Sequence, residues 1–249
     1  MSLLRVENVS RHFGSLVAVD RVSLAVEAGE LRAVIGPNGA GKTTFFNLIS
    51  GFLAPSSGRI RFAGEDITTL LPAQRVWRGI ARTFQVTEVF PELTVRENLR
   101  IAVEAAAGYR LRPWISRRAK AAVGARVTDL ADRGGLTDRE GRLVGELSHG
   151  DQRATEIMMA LALNPRLLLL DEPTAGMGDQ ETYNITRLIR KLHQDEHLSI
   201  VLIEHDMRVI FHLADRIMVL AEGRVLADGT PQQIAADEAV QAAYLGQAA

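Results

Sequence analysis

The stretch GPNGAGKT, residues 36–43, sets three glycines, a lysine and a threonine at the spacing G-x-x-x-x-G-K-[ST]. It follows the apolar run LRAVI and precedes a stretch of helical length that ends at Gly51. Gly36, Pro37, Asn38, Gly39, Ala40 and Gly41 can curl their backbone around phosphate oxygens, while the following helix N-terminus adds N–H donors and a positive dipole end. In such a loop Lys42 reaches the terminal phosphates and Thr43 ligates Mg²⁺. A second chemical cluster closes the apolar run RLLLLDEP, residues 166–173. Neighbouring residues on a strand face opposite sides, so Asp171 and Glu172 can do different work. Asp171 suits Mg²⁺ or its water shell, which leaves Glu172 to polarise an attacking water. A third run, SIVLIEHD, ends in His205. That residue could contact a γ-phosphate or orient the water, or could simply be a hydrogen-bonded surface histidine. His193 and His197 have a metal-compatible spacing of four but read as a solvated helix end.

These residues need a strand, loop and helix framework, and the chain supplies one. The first third reads as short strands, LLRVENV, VSLAVEAGE and LRAVI, followed by the helix after the glycine loop and the strands GRIRFAGEDI and GIARTFQ. Thr94 and Glu97 have capping-box spacing and start a mostly helical, alanine- and arginine-rich stretch that runs to about Gly145. From Ser148 a helix, the RLLLLDEP strand, a helix through ETYNITRLIRKLH and the SIVLIEHD strand alternate, before the strand pair RIMVL and GRVLADG and a short helical tail. Buried strands alternating with helices predict an α/β fold with a largely parallel sheet and ligands at the carboxyl ends of its strands. We expect one domain over residues 1–249, with a nucleotide-binding core at 1–85 and 146–249 and a helical subdomain at 86–145.

Composition narrows the classes. A chain of 249 residues with 47% apolar side chains can bury a substantial aliphatic core. A net charge of −1 argues against a protein that coats nucleic acid. There is no cysteine, hence no disulfide framework or thiolate metal site. No run of apolar residues is long enough to span a bilayer, and the first residues do not read as an export signal.

Taken in order, the phosphate loop, LSHGDQ before an apolar helix, LLLLDEPTAG and IEHD resemble the ATPase subunits of ABC transporters, over essentially the whole chain. The resemblance implies an ABC-type phosphate-loop ATPase with a mainly parallel core sheet, an antiparallel β subdomain and an inserted helical subdomain, using ATP and Mg²⁺. It implies that Phe13 in RHFGS stacks on adenine, although alone it could be a core aromatic. Residues Gly36 to Thr44 would hold the phosphates. Gln85 in RTFQ, by itself an ordinary polar residue at a strand end, would touch Mg²⁺ and sense the γ-phosphate. Asp171 would complete the metal site with Thr43, Glu172 would be the catalytic base and His205 the switch histidine.

The family closes two such subunits head to tail on two ATP molecules. Ser148, His149, Gly150 and Asp151 would then cap the ATP of a second ATPase subunit, identical or different. Ser148 would cap its own helix and offer its hydroxyl to that γ-phosphate, and Gly150 would permit close approach. The sequence departs from the family pattern at His149, Asp151 and Gly178, and the Asp151 charge is expected to oppose a nearby phosphate. Further implied partners are transmembrane permease subunits and, indirectly, a solute-binding protein, with the ATPase peripheral on the cytoplasmic face of the cell membrane. ARTFQ, the arginine-rich segment and LADGTPQQI resemble the branch serving branched-chain amino acid importers, while LSHG and AGM are also similar to urea and short-amide importers. A soluble ABC ATPase of DNA repair or translation lacks support, because neither a long coiled-coil insertion nor a second cassette is present. Residues 108–126 carry six arginines or lysines and no acid, which suits anionic lipid, a permease loop or a solvated helix face.

Overall fold

The computed structural model describes residues 2–83, 88–109 and 116–245. The chain opens with two long strands, β1 (Ser2–Phe13) and β2 (Leu16–Glu27), and continues through β3 (Leu31–Ile35), α1 (Lys42–Ser50), β4 (Ser57–Phe62), β5 (Glu65–Asp66), α2 (Pro72–Val76) and β6 (Ile80–Arg82). Two helices follow, α3 (Val95–Ala106) and α4 (Arg117–Arg133). The remainder alternates as α5 (His149–Leu161), β7 (Leu167–Asp171), α6 (Asp179–Gln194), β8 (Ser199–Ile203), α7 (Met207–Leu213), β9 (Arg216–Ala221) and β10 (Arg224–Gly229), and ends in α8 (Pro231–Ala235) and α9 (Glu238–Leu245).

Six strands form the core sheet in the order β10-β9-β3-β8-β7-β6, parallel except for the edge hairpin β9-β10. A second sheet, β2-β1-β4-β5, is antiparallel. All five residues of β3, of β7 and of β8 are buried, as expected for parallel strands covered on both faces. Alternate residues on them serve two separate cores. Val34, Leu167, Leu169, Val201 and Ile203 pack with Phe45, Phe46, Leu48 and Ile49 of α1 and with the antiparallel sheet. Leu31, Ala33, Leu168, Leu170, Ile200 and Leu202 pack on the other side, where the core extends through α5 and α6 to Leu99 of α3 and Leu130 of α4. Helix α1, which begins at the phosphate loop, is therefore clamped between the two sheets.

Three sequence expectations change. β1 and β2 are longer than the segments read as strands, because Asn8 and Arg21 adopt positive φ and shift the register, which breaks the alternation that marks a strand. Helices α2 and α7 were not anticipated, although Asp206 caps α7 by accepting from the Arg208 N–H at 2.8 Å. The strand read as GIARTFQ is ordered as a strand only over Ile80–Arg82, and residues 84–87 lie outside the described ones. In the basic segment, Arg126 bonds to Asp129 and Asn164, whereas Arg117, Arg118 and Lys120 are exposed; residues 110–115 lie outside the described ones.

The C-terminal end of α1 is held by a buried charge. Arg75 is 1% exposed and donates to the carbonyls of Leu48 at 2.6 Å and Ile49 at 2.7 Å, and to those of Leu70 and Thr68 at 3.0 Å each. Carbonyls in the last turn of a helix lack intrahelical partners, and Arg75 supplies them. Burial pushes its pKa down to about 10, still far above neutrality. Replacing Arg75 by Ala should lower the unfolding free energy by about 3 kcal/mol, measured by urea denaturation, because several buried carbonyls lose their donor together.

Candidate functional site

The phosphate loop is shaped by contacts that only glycine satisfies. Gly36 has φ 148°, and a Cβ there would lie 2.0 Å from the Leu220 carbonyl oxygen. Gly41, with φ 98°, presses against the Ala18 carbonyl, 2.4 Å from where its Cβ would be. The loop is thus wedged between the β9-β10 hairpin and β2, with α1 starting directly behind it. No side chain caps α1 and its first turn holds no acid, so its leading N–H groups remain available to an anion.

Lys42 is 6% exposed and curls back to donate from Nζ to the carbonyls of Gly36 at 2.6 Å and Pro37 at 3.0 Å. Burial pushes its pKa below the ordinary lysine value, and the nearby Glu172 and Asp171 carboxylates counteract this. The residues expected to hold phosphate therefore divide. Asn38, Gly39, Ala40, Gly41, Lys42, Thr43 and Thr44 line an open cleft of about 570 Å³, whereas Gly36 and Pro37 stand behind it as acceptors for Lys42. The same cleft is lined by Phe13, Glu172 and His205. Phe13 is 43% exposed, with the Arg11 guanidinium 4.7 Å from its ring centroid, so it is a cleft aromatic and not a core one. Leu16, Val17 and Gly223 also form its walls, which the sequence reading missed. Exposed Leu16 and Val17 right after the β1-β2 turn were the available signal.

The two acids occupy different surroundings. Asp171 is buried and pairs through Oδ2 with Arg82 Nη2 at 2.8 Å. Burial raises its pKa, while Arg82 counteracts. Unlike Glu172, it is not among the residues that line the cleft, as opposite-facing neighbours on a strand would have it. Arg82 also donates to Asn47 Oδ1 at 2.7 Å and Ser50 Oγ at 2.8 Å, tying the end of β7 to α1. Glu172 does reach the cleft and accepts from His205 Nε2 at 2.9 Å, so the base and the strand-end histidine predicted from sequence are in direct contact. Glu172 has φ 46°, a strained conformation for a side-chain residue that survives only when its surroundings impose it. They do so here: its N–H donates to the Ile203 carbonyl at 2.9 Å and its carbonyl accepts from Arg153 at 2.9 Å. Thr43 and Asp171, the residues expected to hold Mg²⁺, would offer it oxygen donors only, the chemistry that suits a hard, partly hydrated cation. Gln85, the remaining expected metal contact, lies outside the described residues.

Two buried polar residues missed by the sequence reading position these groups. Arg153, on α5, is 3% exposed and donates to the carbonyls of Asp171 and Glu172 at 2.9 Å each and Pro173 at 3.2 Å, and to Glu156 at 2.5 Å. Glu204 accepts from the N–H and hydroxyl of Thr174 and from the N–H of His205 at 2.8 Å. An arginine and a glutamate three apart, directly before the apolar run IMMAL, were a readable sign of burial at Arg153.

The expected signature residues lie elsewhere. Ser148 caps α5, accepting from the Asp151 N–H at 3.2 Å. Asp151 pairs with Arg139 at 2.9 Å, which offsets the charge expected to oppose a phosphate. The Gly150 N–H donates to Glu181 Oε1 at 3.1 Å. Ser148, Gly150 and Asp151 line a separate cleft with Glu181 and Arg139, and none of the four signature residues lines the phosphate-loop cleft of its own chain.

Comparison with known proteins agrees with this geometry. The family described as ABC transporter matches residues 19–175, and that described as branched-chain amino acid ATP-binding cassette transporter matches residues 224–249. The high-affinity branched-chain amino acid transport ATP-binding protein BraF of Pseudomonas aeruginosa is 40% identical, covering 99% of this chain and 98% of BraF. Among solved structures, the ADP conformation of an ATP-binding cassette of an ABC transporter is similar with a TM-score of 0.85 and 30% identity, covering 99% of both chains. A dimeric post-hydrolysis cassette bound to ADP and Pi is similar with a TM-score of 0.76 and 25% identity, covering 92% of this chain and 98% of that one.

Arg153→Met keeps the aliphatic volume but removes the guanidinium's bonds to the 171–173 carbonyls and its ion pair with Glu156. Its unfolding free energy should fall by about 3–5 kcal/mol, the cost of breaking a buried pair from one side. In a denaturant titration the double variant Arg153→Met with Glu156→Met should recover much of that loss.

Proposed function

Because this chain belongs to the ABC transporter ATPase family, we propose that its phosphate-loop cleft binds ATP and that hydrolysis there powers uptake of branched-chain amino acids or related small polar solutes through separate permease subunits. The observation that carries this reading is the single cleft that joins residues 38–44, Glu172 and His205, with Phe13 at its mouth. The adenine lies against Phe13 and the phosphates against the first turn of α1. Lys42 turns from the Gly36 and Pro37 carbonyls to the phosphate oxygens, an exchange of acceptors that keeps its ammonium solvated by the protein. Thr43 and Asp171, with Gln85, would hold Mg²⁺, which would supply charge neutralisation on the phosphates.

A water attacks the γ-phosphorus and gives its proton to the Glu172 carboxylate as the bond to ADP breaks, leaving ADP and inorganic phosphate. His205, now donating to Glu172, is within reach of the transferred phosphoryl group and can change partner as the water takes its place. The site is completed by a second ATPase subunit whose residues corresponding to 148–151 cap this chain's γ-phosphate; that a similar cassette is dimeric with ADP and Pi bound supports this reading. ATP joins the pair and hydrolysis releases it, and the helical segment 86–145 with Gln85 at its edge relays the movement to the permeases. The chain works at the cytoplasmic face of the cell membrane as a peripheral subunit; among the described residues no helix is long and apolar enough to cross a bilayer.

Glu172→Gln should leave ATP binding intact and lower steady-state phosphate release by about 10²–10⁴-fold, the scale of losing a general base. Unchanged release would remove Glu172 from that role. Lys42→Ala should weaken nucleotide binding itself in equilibrium titration, and retained tight binding would contradict the phosphate-loop reading. Reconstitution with the cognate permeases and a solute-binding protein should give ATP-dependent uptake of leucine, isoleucine or valine, and uptake of urea or a short amide instead would reassign the solute.

A further inference from the structure

Glu181 is the third residue of α6, and its carboxylate reaches across to α5. It accepts from the Gly150 N–H at 3.1 Å, at the N-terminus of α5, and lines the same cleft as Ser148. The Gly150 N–H foremost, and the nearby Ser148 hydroxyl, lower the pKa of the carboxyl below the ordinary glutamate value. The side chain lies flat on Gly150: a Cβ on that glycine would stand 3.2 Å from Glu181 Cβ and 3.4 Å from Oε1. The neighbouring acid, Asp151, is matched by Arg139, so it is Glu181 that takes the Gly150 N–H. The Ser148 hydroxyl and Gly150 N–H are the groups that the proposed function directs at a partner's γ-phosphate. The Gly150 N–H is therefore not idle in the single chain, because it already holds an anion.

We propose that Glu181 is an internal competitor for the partner's γ-phosphate, and that it sets how much ATP is needed to join two ATPase subunits. This rests on the reading of residues 148–151 as the cap of a partner's nucleotide. A phosphate oxygen can take the Gly150 N–H only if the carboxylate leaves it, and a charged acceptor is held more tightly than a neutral one. A carboxylate left nearby also repels the incoming phosphate. Both effects weaken pairing, and both disappear when the charge is removed.

The test uses the full chain carrying Glu172→Gln to stop turnover, alone and with the second ATPase subunit of its transporter. Pairing is followed against ATP concentration by sedimentation velocity, and a fluorescent ATP analogue measures nucleotide binding to dilute single chains. Glu181→Gln, nearly the same shape without the charge, should lower the ATP concentration at half-maximal pairing by roughly fivefold, the difference between a charged and a neutral acceptor. Single-chain affinity for the analogue should not change. Glu181→Asp keeps the charge but withdraws it from Gly150 and should fall between the two. An unchanged or higher midpoint for both variants would overturn the proposal and leave Glu181 a structural cap. Analogue binding without ATP-driven pairing in any variant would instead overturn the shared-site reading, and the proposal with it.

Discussion

One buried guanidinium ties together the two chemical ends of this chain. Arg153 sits one turn into the helix that Ser148 caps, and it grips three successive carbonyls, Asp171 to Pro173, at the end of the strand that carries both acids. That grip helps impose the positive φ of Glu172, which turns its side chain out of the sheet edge toward His205 while Asp171 stays inside against Arg82. Without it the strand end could relax to an ordinary extended geometry. The helix capped by Ser148 and the strand-end acid Glu172 are consequently a single mechanical unit, although under the proposed function they would serve two different nucleotides.

Buried charge recurs as a fastening device throughout the molecule. Arg32, within a fully buried strand, is matched by Glu30 at 2.8 Å and Asp228 at 2.7 Å, and joins the core sheet to its edge hairpin. Arg75 holds the carbonyl end of α1, and Arg82 ties that same helix to Asp171. Each would be costly to bury alone, and each bonds to fixed acceptors drawn from more than one element. Aliphatic packing fills the two cores, while these arginines fix how α1, β7 and α5 meet, which is where the chemistry lies.

The parts that could be read from sequence are those whose meaning is local. The phosphate loop, the acid pair at a strand end, the Thr94–Glu97 capping box and the Ser148 cap are each contained within a few residues, and the fold places all of them as expected. The alternation of β and α likewise made the parallel sheet legible. What escaped depends on distant partners. Glu181 reaches a donor 31 residues away, and Glu204 serves Thr174 from 30. The Arg139 partner of Asp151 is likewise invisible to a purely local reading of that charge. Strands β1 and β2 were underestimated for a different reason, since their bulges interrupt the period that reveals a strand.

The central claim is that each ATP is enclosed by the phosphate loop of one chain and the signature helix of another. The chain has no cysteine, so engineered thiols report contacts without background. Asn38→Cys in one copy and His149→Cys in another, both carrying Glu172→Gln, can be mixed and oxidised with and without ATP. The account predicts a disulfide-linked pair only in the mixture and only with ATP. An equal yield without nucleotide, or no linked pair when ATP is bound, would contradict it.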